Sequence, residues 1–263
     1  RSIASILKKK YGIPFVITEH SSKLNRPAEQ ISNLDKRLVK KAYQNCDQLI
    51  CVSEALHNNI LQNFGHDSIV IPNMVDNQNF SYQSQFKGDS PFIFASVGNL
   101  KPIKAFDKLI EAFAQVKDNA KLYIIGDGPE KERLKSLIND LRLNDNVELM
   151  GQLSRAEINR IYQKSHVFVL PSQSETFGVS YIEAMYAGLP VIANRCGGPE
   201  SFVNESNGIL VPVNNVEALA VAMRRMRQNY SDYNTKQISE ECIAQFSPEV
   251  IADDIIKVYS GIL

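Results

Sequence analysis

The sequence predicts an α/β protein whose main body is a doubly wound parallel sheet. Three observations carry this. From residue 92 onward, short β-rich runs alternate with helical periodicity, the pattern of βαβ units. Several runs, VFVL at 167–170 the clearest, are apolar at consecutive positions, as strands covered by helices on both faces must be. The turns after these runs hold glycines and polar residues, and ligands of open parallel sheets sit beyond the carboxyl ends of the strands.

The expected strands of the main body are 92–97, 121–125, 147–150, 167–170, 190–193 and 208–211. Upstream, strands are expected at 14–18, 49–53 and 68–72, with helical stretches near 31–46 and 54–63. Residues 77–91 are polar and without a period, which marks a linker. The chain therefore divides into 1–85, a partial α/β domain with its linker, and 86–263, a Rossmann-like ligand-binding domain. The final stretch carries apolar residues at 250, 251, 255, 256 and 259, a helical stripe suited to crossing back over the domain junction.

Composition narrows the function. The 263 residues are 44% hydrophobic and 22% charged, ordinary for a globular protein. Lys plus Arg and Asp plus Glu both number 29, so no summed field draws a polyanion, and nucleic acid is not an expected partner. No apolar run of about 18 residues is present and no signal peptide is evident, so a cytoplasmic protein is expected. The four cysteines show no metal-ligand spacing and read as free thiols. The sequence begins at Arg1, which suggests a fragment or a processed chain.

The chemistry is expected in the turns. In Gly98-Asn99-Leu100-Lys101-Pro102-Ile103-Lys104, two lysines lie where a helix begins, the end whose dipole disfavours cations, so a nearby anion would explain them. Gly126-Asp127-Gly128-Pro129 reads either as a close approach to a ligand or as a tight structural turn, with Pro129 suited to the first helical position. After 167–170, the loop ending Glu175-Thr176-Phe177-Gly178 leads into a helix over 179–187 whose first amides, at Phe177, Gly178 and Val179, suit phosphate oxygens. Glu183 falls on that helix's apolar stripe with Val179, Ile182 and Tyr186, and a carboxylate there needs an internal donor or a ligand's hydroxyl pair. Glu200, after Gly197-Gly198, reads as part of a structural loop.

Taken in order, VGNLKPIK, IIGDGPE, FVLPS, ETFGVSYIEAMYAGLPVIA and GGPES resemble a GT-B glycosyltransferase of family 4. Thr18-Glu19-His20, Val52-Ser53, Ile71-Pro72-Asn73 and Val75-Asp76 resemble that family's upstream segments. The resemblance implies a retaining transfer from a nucleoside-diphosphate sugar, a UDP- or GDP-sugar, to a hydroxyl of a glycan or lipid-linked glycan in polysaccharide biosynthesis. It implies catalytic roles for Glu175 at the sugar hydroxyls, Lys104 at the diphosphate and His20 beside the transferred sugar. Glu183 would hold the ribose, and Phe177, Gly178, Val179, Gly98, Asn99, Gly126 and Gly128 would complete the donor site.

Two departures stand out. Asn99 takes a position where the family often has an arginine, leaving Lys101 or Arg195 to supply the second cation. The early glycine-rich part of the acceptor domain is missing, so the N-terminal domain is expected to be partial. No Asp-x-Asp pair is present, and a metal-independent reaction is expected, with no tightly bound cofactor. The alternatives are a non-catalytic nucleotide-sugar-binding module, a nucleotide-sugar epimerase on the same fold and, from the paired carboxylates alone, a glycosidase. Lys36, Arg37, Lys40 and Lys41 share one side of a helix whose other side carries Ile31, Leu34, Leu38 and Ala42; this is a solvated face or a peripheral membrane contact.

Overall fold

The computed structural model describes residues 2–24, 28–83 and 91–262. The first unit runs α1 (Ser2–Tyr11), β1 (Val16–Glu19), α2 (Asn33–Asn45), β2 (Gln48–Cys51), α3 (Glu54–Phe64) and β3 (Ile69–Val70), and its strands form a parallel sheet in the order β1-β2-β3. The second unit follows as β4 (Phe92–Val97), α4 (Phe106–Phe113), β5 (Ala120–Ile125), α5 (Lys131–Asp140), β6 (Val147–Gly151), α6 (Arg155–Lys164), β7 (Val167–Leu170), α7 (Val179–Tyr186), β8 (Val191–Asn194), β9 (Gly208–Val211), α8 (Val216–Gln228), α9 (Thr235–Phe246) and α10 (Pro248–Ser260).

The second sheet is parallel in the order β6-β5-β4-β7-β8-β9. The chain thus builds outward from β4 to β6, then returns to place β7 on the other side of β4. The order reverses between β4 and β7, and the crevice at their carboxyl ends is where such sheets bind ligands. Every residue of β7 is buried, in accord with its unbroken apolar run.

Strands 92–97, 167–170 and 208–211 coincide with expectation, and the other three shift by a residue. The strand expected at 190–193 starts at Val191, because Pro190 has no N–H to pair and offers only its carbonyl, which accepts from Phe168 at 3.1 Å. The strand expected at 68–72 keeps only Ile69 and Val70. Helix α5 begins at Lys131, so Pro129 belongs to the turn before it rather than to its first position. The expected boundary between 85 and 86, with the part of the linker over 84–90, lies outside the described residues.

The expected packing of α2 is corrected. Val39, Ala42 and Tyr43 are its buried residues, whereas Leu34 and Leu38 are 68% and 54% exposed. Tyr43 determines which side faces inward: its ring meets Phe64 of α3 edge-on at 5.6 Å, which turns Leu34 and Leu38 outward. Leu38 lines a cavity of about 580 Å³ between α1 and α2, with Ile6 and Lys9 on its other wall.

The two units touch at several points. Ile251 of α10 packs with Ile50 of β2 and Ile71, the Val75 N–H donates to the Phe246 carbonyl at 2.9 Å, and Arg155 pairs with Asp76 at 2.9 Å.

Candidate active site

The turns after β4 and β7 meet at the switch point. After β4, the chain passes through Gly98 and Asn99 into a single 3-10 turn, Pro102–Lys104, closed by the Lys104 N–H on the Lys101 carbonyl at 2.9 Å. Ala105 then takes a left-handed conformation, φ 52°, and α4 starts at Phe106. The 3-10 turn separates Lys104 from α4 and aims its ammonium at the loop after β7, where it donates to Glu175 at 2.5 Å. The anion anticipated beside Lys104 is, in this structure, an internal carboxylate. Both side chains are largely enclosed.

The loop carrying Glu175 is fixed on three sides. The Gln173 N–H donates to the Ile103 carbonyl at 2.8 Å, which joins it to the Lys104 turn. The Glu175 N–H reaches the Cys196 carbonyl and its carbonyl accepts from Gly198, so it pairs with the loop after β8 like a short strand. Asn194, 3% exposed, donates to the carbonyls of Pro171 and Ser172. From the first unit, the Ser53 hydroxyl donates to the Thr176 carbonyl at 2.5 Å. Glu200 accepts from Gly197 N–H, which holds its own loop closed.

Phe177 is buried between Phe202 and Phe246, so only its backbone can serve a ligand. Gly178 follows in a left-handed conformation, φ 103°, and turns the chain into α7. The Tyr181 N–H already donates to the Gly178 carbonyl at 3.0 Å, whereas the amides of Phe177, Gly178 and Val179, at the start of α7, precede the helix's own i to i+4 ladder. Val179 is 37% exposed, so the stripe expected to include it is corrected: α7 is enclosed from Tyr181 to Tyr186 instead. A helix buried around most of its circumference belongs to the core, and its polar residue then needs a reason.

That residue is Glu183, 8% exposed and without a hydrogen bond to its carboxylate among the described residues. Burial pushes its carboxyl up to about 7; Arg155 works against this shift and Asp76 adds to it. Beside Glu175 and Glu200, burial pushes the Cys196 thiol up to about 12, which leaves it unreactive at neutral pH.

Of the residues expected to share one crevice, Lys104 and Glu175 are in contact, Phe177, Gly178 and Val179 continue the Glu175 loop into α7, and Glu183 lies further along α7 in the field of Arg155 and Asp76. Gly98 and Asn99 share the Lys104 turn. Gly126 and Gly128 have a structural explanation: an added Cβ would stand 1.9 Å from the Gly98 carbonyl oxygen and 2.5 Å from that of Leu100, so these glycines let the β5 turn pack on the β4 turn. Asp127 caps that turn through Gly128 N–H and pairs with Lys131. His20 is exposed at the carboxyl end of β1, in the other unit. Lys101 and Arg195 are both exposed, and Arg195 directly precedes Cys196.

Arg155 was missed as a site-side group. Its signal was available: it is the first residue of α6, inside the Ser154–Glu157 capping box, and a cation at a helix start is the same anomaly that singled out Lys104.

Two parallel-stranded α/β units, with a cation–carboxylate pair at the switch point of the second, make the two-domain arrangement of the GT-B fold, the fold class of GT-B glycosyltransferases. Residues 77–245 match the family model described as Glycosyl transferases group 1, and residues 2–79 match that of Glycosyltransferase Family 4. A relative in Methanocaldococcus jannaschii, described as an uncharacterized glycosyltransferase, is 32% identical over 260 residues, covering 98% of this chain and 71% of the relative. The chain belongs to the group 1 glycosyltransferases. The alpha-monoglucosyldiacylglycerol synthase of Acholeplasma laidlawii is 26% identical over 287 residues, covering 97% of this chain and 71% of that one. Among solved structures, sucrose-phosphate synthase of Thermosynechococcus elongatus superimposes with TM-score 0.85 at 25% identity, over 98% of this chain and 70% of that one. Anabaena HepE in complex with UDP gives 0.88 at 21%, over 98% and 75%.

Proposed function

We propose that the crevice between β4 and β7 binds a nucleoside-diphosphate sugar, a UDP- or GDP-sugar, and that the enzyme passes the sugar to a hydroxyl of a glycan or lipid-linked acceptor with retained configuration. The observation that carries this is the Lys104–Glu175 pair at 2.5 Å, with a buried Glu183 on the helix that follows the Glu175 loop. A diphosphate takes over Lys104 and the amides at Phe177, Gly178 and Val179. Sugar hydroxyls then donate to the released Glu175. The ribose diol donates to Glu183, which supplies the missing partners of that carboxylate. Charge developing on the departing diphosphate is met by Lys104 and these amides, fixed in place before the reaction, so no metal is called for. Lys101 or Arg195, both exposed, supplies the second cation in place of the arginine absent at Asn99. His20 faces the transferred sugar from the first unit. That HepE was solved with UDP and with UDP-glucose supports a donor of this class.

Calorimetric titration with UDP, GDP and ADP and their glucose conjugates tests this, with Glu183→Ala as control. Selective binding lost in the variant is expected. Equal binding by both proteins overturns the ribose role, and turnover without binding selectivity overturns the nucleotide reading.

A second reading concerns location. Among the described residues no helix is long and apolar enough to cross a membrane. Exposed Leu34 and Leu38 lie beside Arg37, Lys40 and Lys41 on α2, with Lys36 half-buried, and this favours peripheral contact with an anionic bilayer on the cytoplasmic side. Sedimentation with phosphatidylglycerol vesicles is expected to carry the protein down, and protein left wholly in solution overturns it.

A further inference from the structure

Glu19 ends β1 with its carboxylate enclosed, 2% exposed, and the proposed reaction gives it no part. One oxygen accepts from the Ser21 N–H at 3.0 Å and the other from the Tyr43 hydroxyl at 2.9 Å. The first bond runs from the residue before His20 to the amide after it, so it closes a turn with His20 at the apex. The second ties that turn to α2. Tyr43 is itself 0% exposed, and its ring is held edge-on by Phe64 at 5.6 Å and His66 at 5.7 Å, which fixes the direction of its hydroxyl.

The turn also faces the right part of the molecule. Glu19 is in register with Cys51, the last residue of β2. Two residues beyond Cys51, Ser53 donates to the Thr176 carbonyl, next to Glu175. The carboxyl end of the first sheet, which carries His20, is therefore the end that touches the loop of the Lys104–Glu175 pair.

We propose that Glu19 is a positioning residue that acts with Tyr43 to hold His20 toward the sugar at the Lys104–Glu175 pair, an inference that rests on the reading of His20 given above. Enclosing a carboxylate is unfavourable unless its lone pairs are used, and here one oxygen closes the backbone turn that carries His20 while the other ties that turn to Tyr43 of α2. Glutamine preserves the arrangement, because its oxygen can accept from Ser21 and its amide can donate to the Tyr43 oxygen.

The test compares Glu19→Ala, Glu19→Gln, Tyr43→Phe and His20→Ala for nucleotide release from UDP-, GDP- and ADP-glucose, together with nucleotide affinity by calorimetry. Glu19→Ala and Tyr43→Phe are expected to slow release roughly tenfold or more, as His20→Ala does, with affinity unchanged. Glu19→Gln is expected to restore the wild-type rate. A slow His20→Ala beside a wild-type Glu19→Ala overturns this inference alone, whereas a wild-type His20→Ala overturns the role of His20 itself. Loss of affinity in step with rate, or no rescue by glutamine, also overturns it. If the wild type releases nothing, the carbon-13 imidazole resonance of His20 decides. It should shift or broaden in Glu19→Ala and Tyr43→Phe but not in Glu19→Gln, and an unmoved resonance in all three overturns the proposal.

Discussion

Lys104 and Glu175 are 71 residues apart and form a 2.5 Å ion pair where the strand order of the second sheet reverses. Each is the other's counter-ion until a ligand arrives. A diphosphate competes with Glu175 for Lys104, and a sugar must then satisfy Glu175. Removing one member therefore has opposite consequences for two ligands. Glu175→Gln should bind free UDP or GDP more tightly than the wild type, because Lys104 no longer has to be released, while sugar transfer collapses. Calorimetry and turnover on the same preparation check this, and equal UDP and GDP affinities would count against the competition.

Lys104→Ala removes the cation and leaves the Glu175 carboxylate, 11% exposed, without that partner. A charge-assisted hydrogen bond contributes about 1.5 to 3 kcal/mol. Turnover should fall at least tenfold, and Lys104→Arg should recover only part of it, because the guanidinium is longer and planar. Steady-state rates decide this, and a wild-type rate in Lys104→Ala removes Lys104 from the reaction.

Glycines in these turns differ in what they tolerate. A Cβ on Gly126 would lie 1.9 Å from the Gly98 carbonyl oxygen, a rigid backbone atom, whereas one on Gly98 would meet Phe106 at 3.5 Å and the Lys104 side chain at 3.8 Å, ordinary contact distances. Gly126→Ala should cost several kcal/mol, on the scale of overpacking and backbone strain, and Gly98→Ala should leave the melting temperature within a few degrees of the wild type. Thermal denaturation of both variants provides the comparison.

The same contrast shows what a sequence discloses. VFVL at 167–170 is legible because a strand buried on both faces leaves no polar position, and β7 is buried throughout. Lys104 is legible because its signal is local, a lysine in the glycine-led turn ahead of an expected helix, although the structure puts it at the end of a 3-10 turn rather than at the start of α4. Its partner is not, because the pairing depends on β7 returning to lie beside β4, a property of strand order. Gly126 signals close approach correctly, but whether a ligand or another turn approaches is decided by chain that is distant in sequence. On α2, two apolar stripes overlap, and the edge-on fit of Tyr43 against Phe64 selects the one with Val39 and Ala42.

Glu183 should make the protein pH-dependent in a calculable direction. Its carboxyl is near 4.5 in the unfolded chain and is raised by burial to about 7 in the folded one. Between these values the folded state holds a proton that the unfolded state has lost, so stability falls as pH rises from about 4.5 to 7 and is level above that. The difference amounts to on the order of 3 kcal/mol. Glu183→Gln should abolish the slope in this window, measured by denaturant unfolding across pH. Nucleotide binding should run the other way, strengthening as pH rises through 7, because ribose hydroxyls bond best to the ionised form.

Arg155 links this titration to the junction between the units. It pairs with Asp76 of the first unit at 2.9 Å while its charge favours the ionised form of Glu183. The pair is exposed, 55% and 26%, so its loss should change stability by less than about 1 kcal/mol. The site should respond more. In Arg155→Ala, Glu183 loses the cation and keeps the Asp76 charge that opposes its ionisation, so its carboxyl rises further and the pH at which nucleotide affinity is half-maximal moves upward. In Asp76→Asn the opposing charge is gone while Arg155 remains, and the midpoint should move downward. Calorimetric titration between pH 6 and 9 resolves the two directions. Parallel shifts in both variants would show that breaking the junction matters more than charge, whereas opposite shifts establish that Arg155 and Asp76 act on nucleotide binding through the charge state of Glu183.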